Sequence, residues 1–125
     1  MAGEIEALRE TSVHVAAMLA RGWDIVLTHG NGPQVGFNLL RSELAAHVAP
    51  PLPLDMLGAQ TQGSIGYLIQ QILGNELRRQ GIRKRVATVV TQTLVDADDP
   101  AFHRPTKPVG RFYERDEAER LQAVR

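Results

Sequence analysis

Cysteine is absent from the 125 residues, which excludes disulfides, thiolate nucleophiles and thiolate metal ligands. No apolar run approaches the roughly 18 residues of a membrane-spanning helix. The amino end, Met1-Ala2-Gly3-Glu4, lacks the basic region and apolar core of a secretory leader. Net charge is missing as well: 14 basic residues balance 14 acidic ones, so no global field draws in nucleic acid or an anionic membrane. Lysine is scarce, with Lys84 and Lys107 alone. The four histidines, His14, His29, His47 and His103, show no metal-ligand spacing. There is no internal repeat and no low-complexity tract. The expectation is a cytoplasmic globular protein with no membrane or nucleic-acid partner and no protein-held metal.

What is present alternates between two periodicities. Ile5, Leu8, Val15 and Leu19 predict a helix over 4–21, stopped by Gly22 at the C′ position. The run Ile25-Val26-Leu27 lacks polar alternation and predicts a strand over 24–28, covered on both faces. A helix is expected over 33–48, then a loop at Pro50-Pro51-Leu52-Pro53. A long helix follows over 55–80, its apolar face carried by Leu57, Ile65, Leu68, Ile72 and Leu77. Gly58, Gly63, Gly66 and Gly74 lie inside it, each costing roughly 1 kcal/mol against alanine; close packing is the reading for them, with loose packing or a break near Gly63 as the alternative. Arg85 to Thr91 is the second strand, with Val86, Val89 and Val90. The fold class is therefore α/β with a mainly parallel sheet. A proline-rich and acidic segment over 96–112 is expected to project as a loop or hairpin, and a last helix over 114–125 contains Asp116 and Arg120 at i,i+4.

Between the first strand and its following helix lies Thr28-His29-Gly30-Asn31-Gly32-Pro33-Gln34. Strand, glycine turn and helix present backbone N–H groups to an anion. Gly30 and Gly32 can take positive φ and admit a ligand to the main chain, and Pro33 suits a first helical turn. An ordinary strand-to-helix loop is the equal alternative for this turn by itself. Both strands end in polar residues, Thr28-His29 and Thr91-Gln92, and open α/β sheets bind ligands beyond the carboxyl ends of their strands. His29 reads as a hydrogen-bonding partner of the turn, with a proton carrier as the alternative. Gln60, Thr61 and Gln62 either face a small substrate or are polar helix surface. Lys107 is held between prolines in Pro105-Thr106-Lys107-Pro108; a surface lysine is its plain reading. Arg78, Arg79, Arg83, Lys84 and Arg85 cap a helix end and meet solvent. Asp96, Asp98 and Asp99 read as caps or as solvated surface acids, lacking the remainder of a calcium loop.

Three words in the sequence, HGNGPQVG at 29–36, PLDMLGAQTQGSIGY at 53–67 and DPAFHRPTKPVG at 99–110, resemble carbamate kinase, of the amino-acid kinase fold family. The resemblance covers nearly the whole chain in the family's order. It implies a three-layer sandwich and reversible phosphoryl transfer between magnesium–ATP and carbamate, giving carbamoyl phosphate and ADP. It implies that Lys107 is the catalytic cation, and that Gly30, Asn31, Gly32 and Gln60 bind the substrate or its phosphoryl group. A small-molecule substrate and a homo-oligomer, a dimer, follow from it. The family's first strand with its Gly-Gly-Asn turn and its nucleotide-binding half have no counterpart here. Residues 1–125 are thus expected to be part of the amino-terminal, carbamate-binding domain, with 96–112 as its projecting subdomain, and to show no kinase turnover alone. A non-catalytic module binding a small anion or a partner chain remains an alternative, as does another amino-acid kinase acting on a carboxylate or phosphate.

Overall fold

The computed structural model describes residues 2–110 and 112–123. In chain order it holds α1 (Ala2–Ala20), α2 (Gly32–Leu44), α3 (Leu54–Arg79), a 3-10 turn at Pro100–Phe102 and α4 (Arg115–Ala123). The chain divides into two compact units, one of Met1–Asn31 with Gly58–Thr93, the other of Gly32–Leu57 with Leu94–Arg125. No helix among the described residues is long and apolar enough to cross a membrane.

In the first unit α1 and α3 end the same way. Gly22 sits at φ 89° and Gly81 at φ 71°, conformations open to glycine because it has no Cβ. Around Gly22, its N–H donates to Leu19 O and that of Trp23 to Met18 O; around Gly81, its N–H donates to Arg78 O and that of Ile82 to Leu77 O. Both are Schellman motifs, which satisfy the last helical carbonyls and turn the chain outward. Each releases an extended segment, 23–31 and 82–95. Val15 and Ala16 of α1 and Leu73 and Leu77 of α3 form the core, with Leu19, Ile25, Ile82 and Val86 packed on it.

The two extended segments run in the same sense. At one end Lys84 Nζ lies 3.0 Å from Asp24 Oδ1. At the other, Asn31 bonds to Thr61 and Thr91 to Gln62, neighbours on α3. The strands expected at 24–28 and 85–91 are nevertheless not strands among the described residues. A strand is defined by its ladder, and among the described residues no backbone–backbone hydrogen bond engages 24–30 or 83–95. The expected cover on both faces is also corrected: Ile25 and Val86 pack on the core, whereas Val26 is 89% and Val89 75% exposed. The helical layer of α1 and α3 covers one face only.

In the second unit α2 buries Val35 and closes a turn earlier than expected, continuing as hydrogen-bonded turns to Ala49. The proline loop is tied back by Leu52 N–H donating to Ser42 Oγ at 2.9 Å. Gly110, at φ 89°, seats on α2 so closely that a Cβ on Gly36 would lie 3.2 Å from Gly110 Cα. Tyr113 Oη donates to Glu43 Oε2 at 3.4 Å. The segment expected to form a loop or hairpin over 96–112 is a loop with one 3-10 turn, capped by Asp99, whose Oδ1 accepts from Ala101 N–H. Asp96 Oδ1 accepts from Asp98 N–H, so the Asp96 and Asp99 carboxylates brace the local backbone. Arg111 of that segment and residues 124–125 of the last helix lie outside the described residues. The expected Asp116–Arg120 carboxylate pair is replaced by Arg120 Nε donating to the Asp116 carbonyl.

Candidate functional site

The first extended segment delivers His29, Gly30 and Asn31 beyond its carboxyl end. Asn31 Nδ2 donates to Thr61 Oγ1 at 2.8 Å, and Thr61 Oγ1 donates to Gly58 O at 2.6 Å. Thr61 is fully buried. Its hydroxyl thereby both accepts and donates, and the orientation of the Asn31 amide is set by a side chain 30 positions away. His29 Nδ1 lies 3.1 Å from Gly30 O; the carbonyl only accepts, so Nδ1 carries the proton. This is the turn-bracing role expected of His29.

Gly30 and Gly32 do not take the positive φ allowed to them in the sequence reading; among the described residues Gly22, Gly81 and Gly110 alone do. Gly32 instead opens α2, its backbone already helical. A Cβ on Gly30 or Gly32 would meet nothing within 4 Å. Gln60 is exposed on α3. Lys107 is exposed in the second unit, three residues before the seat of Gly110.

One stripe of α3 escaped the sequence reading. Gln62, Gly66 and Gln70 are spaced four apart and so share a helix face. Gln62 brackets Thr91: its Oε1 accepts from Thr91 N–H at 2.8 Å and its Nε2 donates to Thr91 O at 3.3 Å. Gln70 Nε2 donates to Val86 O at 3.0 Å. Gly66, buried between them, lets Thr88 sit where a side chain would be: a Cβ there would lie 2.7 Å from Thr88 Oγ1. Close packing is therefore the reason for Gly66, while Gly58, Gly63 and Gly74 have open space. The i,i+4,i+8 alternation of amide, glycine and amide was the available signal.

Between the two extended segments lies a cavity of about 650 Å³, walled by Val15, Leu19, Ile69 and Leu73 and reaching Asn31 and Gln62. No group of three or more His, Asp or Glu side chains stands ready to hold a metal among the described residues. The strongest electrostatic perturbation lies at the end of α3, where hydrogen bonds from Arg79 and then Gln80 hold the Glu76 carboxyl down at about 2.

No family model matches the chain. It is similar to curated carbamate kinases over nearly its whole length. Carbamate kinase of Pyrococcus furiosus is 51% identical over 119 residues, 94% of this chain and 38% of that protein. The carbamate kinase-like protein YahI of Escherichia coli is 52% identical over 122 residues, 95% of this chain and 38% of that one. Among solved structures, a Giardia lamblia carbamate kinase bound to AMP-PNP superposes with a TM-score of 0.84 at 42% identity, covering 96% of this chain and 38% of that one. The chain thus spans well under half the length of the relatives it matches.

Proposed function

We propose that these residues are the carbamate-binding portion of a carbamate kinase-type phosphotransferase, with the chain's two extended segments as parallel strands of an α/β three-layer sandwich. The observation that carries this reading is identity near 50% to carbamate kinases over 94% of the chain. In the proposed reaction a β-phosphate oxygen of ADP attacks the phosphorus of carbamoyl phosphate, the bond from phosphorus to the carbamate oxygen breaks, and carbamate leaves as the anion; the reverse direction phosphorylates carbamate. Such chemistry asks for positioning and charge stabilisation rather than covalent help.

Gly30 and Gly32 bind the substrate through backbone N–H groups, Gly32 at the positive end of α2. The open space beside both glycines suits close approach of a ligand to the main chain. Asn31 binds through an amide already oriented by Thr61, Gln60 contacts the carbamoyl end, and Lys107 opposes the charge of the transferring group. Magnesium arrives with the nucleotide. None of these steps passes through a protein-held ion. A cytoplasmic location and a homodimer complete the proposal, the latter favoured by exposed Val26, Val89 and Leu94.

The test is a chimaera in which this chain replaces the matched part of the Pyrococcus furiosus enzyme. It should form ATP from carbamoyl phosphate and ADP, and Lys107→Ala should lower kcat roughly 10²–10³-fold, the usual loss on removing one such charge. A folded chimaera inactive with carbamate but active with acetylglutamate or UMP would reassign the substrate. A non-catalytic module that binds a small anion is the second reading, resting on the open space beside Gly30 and Gly32. The chimaera separates the two: a folded chimaera that binds carbamoyl phosphate by calorimetry and forms no ATP supports the module.

A further inference from the structure

The hydroxyl of Thr61 has a single proton to give. It lies 2.6 Å from Gly58 O, a separation between two oxygens that requires the proton between them. Thr61 is fully buried, so water cannot take over either of its bonds. With that proton committed, Thr61 Oγ1 only accepts, and the group 2.8 Å away on Asn31 must be a donor. Asn31, half-buried at the carboxyl end of the first extended segment, therefore turns Nδ2 to Thr61 and Oδ1 away from it. The reversed amide would set two lone pairs against each other and leave a buried hydroxyl without its donor. The two halves of an asparagine amide have nearly the same shape and opposite hydrogen-bonding character. The row of Gly58 O, Thr61 Oγ1 and Asn31 Nδ2 thus makes a chemical choice where sterics make none.

An acceptor held in one sense favours a ligand that brings a donor. Carbamoyl phosphate carries an NH2 group on its carbonyl carbon; its lone pair is delocalised, so the group donates and does not accept. Acetyl phosphate has a methyl group in that place, similar in size and without a donor. Contacts to the phosphoryl group bind both compounds alike, because both carry the same one. Discrimination has to come from a protein group that meets the NH2 and is left unmatched by the methyl.

We infer that Thr61 is a positioning residue that acts through Asn31: by holding Nδ2 it presents Asn31 Oδ1 as the acceptor for the NH2 group of the carbamoyl substrate, and so selects carbamoyl phosphate over acyl phosphates of the same shape. This rests on the phosphotransferase reading and adds to it the atom that reads the amine. Thr61 itself touches no substrate; its part is to decide which end of a neighbouring amide does.

The test uses the Pyrococcus furiosus chimaera, with ATP formation from ADP followed on carbamoyl phosphate and on acetyl phosphate. The readout is the ratio of the two kcat/KM values. Thr61→Val keeps the shape of the side chain and removes both hydrogen bonds, which frees the amide to reverse; the ratio should fall about tenfold, the loss expected of one uncharged hydrogen bond. Thr61→Ser keeps the hydroxyl and should restore the ratio. Asn31→Leu should lower it at least as far, and carries the test if Thr61→Val does not fold. A merely structural role for Thr61 would lower both kcat/KM values together, so an unchanged ratio in folded Thr61→Val or in Asn31→Leu overturns the proposal. A ratio that falls in Gln60→Leu and holds in Asn31→Leu would give the amine to Gln60 and overturn it too. Both outcomes leave the phosphotransferase reading standing, because the unsubstituted chimaera still forms ATP. A folded, unsubstituted chimaera inactive on both phosphates overturns the two together.

Discussion

Gly66→Ala against Gly74→Ala isolates what one missing Cβ contributes. Both glycines lie inside α3 (Leu54–Arg79), so alanine should gain each helix up to about 1 kcal/mol in propensity. They differ in surroundings. Gly74 has nothing within 4 Å of a built Cβ, whereas at Gly66 that atom would come 2.7 Å from Thr88 Oγ1 and 3.0 Å from Thr88 Cβ. The second of these is a branch point next to the backbone, which no side-chain rotation removes. Threonine is also stiff about χ1. Forcing the two elements apart costs about 1–3 kcal/mol by analogy with overpacked cores. The two alanine variants should therefore differ by about 1–3 kcal/mol in urea unfolding, Gly74→Ala being the more stable, with equal m-values. Thr88→Ala in the Gly66→Ala background should recover part of the loss, giving a coupling of about 0.5–3 kcal/mol in the double-mutant cycle. If the two alanine variants agree within about 0.5 kcal/mol, the helix does not approach the second extended segment as closely as described, and the packing argument fails.

Thr61→Val removes the hydroxyl that orients Asn31 and leaves its amide without a partner, which should lower stability by about 1–3 kcal/mol; Thr61→Ser should retain most of it. Gln62→Leu should release the Thr91 N–H, read as faster exchange of that amide alone. The Glu76 carboxyl, held near 2 against an ordinary 4.5, should titrate there by carbon NMR and return toward 4.5 in Arg79→Ala. Its folded value is depressed, so its contribution to stability is present above 4.5 and is lost as pH falls through about 2. Gly110→Ala, forced into φ 89°, should destabilise by about 1–2 kcal/mol in the same urea assay.

Local requirements were legible in the sequence. Gly22 stops a helix because only the residue after the last turn must take positive φ, and that need is written in adjacent residues. Asp99 caps because its carboxylate reaches two residues on. The Asn31–Thr61 contact was not legible, since it joins positions 30 apart and depends on how α3 lies along its neighbours. The strands at 24–28 and 85–91 show the same limit from the other side. β-Branched residues predict an extended backbone, which both segments have, but a ladder needs a partner that composition does not encode. Gly32 was read as part of the turn and opens the helix instead, a boundary shift of one residue that moves it from ligand-cradling conformation to helix dipole. Lys107 reads from its scarcity and its prolines as a surface lysine, with which its exposure agrees, and the resemblance alone implies a catalytic role for it.

The contact of Gly110 with Gly36 has a consequence for that lysine. Gly110 is moored on α2 by the absence of two side chains, and Lys107 precedes it by three residues. An extended chain covers at most about 3.5 Å per residue, so the Lys107 Cα is tethered within about 10 Å of the mooring. A cation confined to such a sphere has an effective concentration on the order of 0.1–1 M there, before any ion pair forms. Gly36→Val would lengthen the leash without altering the charge, diluting the ammonium in its own neighbourhood while leaving every property of the lysine itself intact.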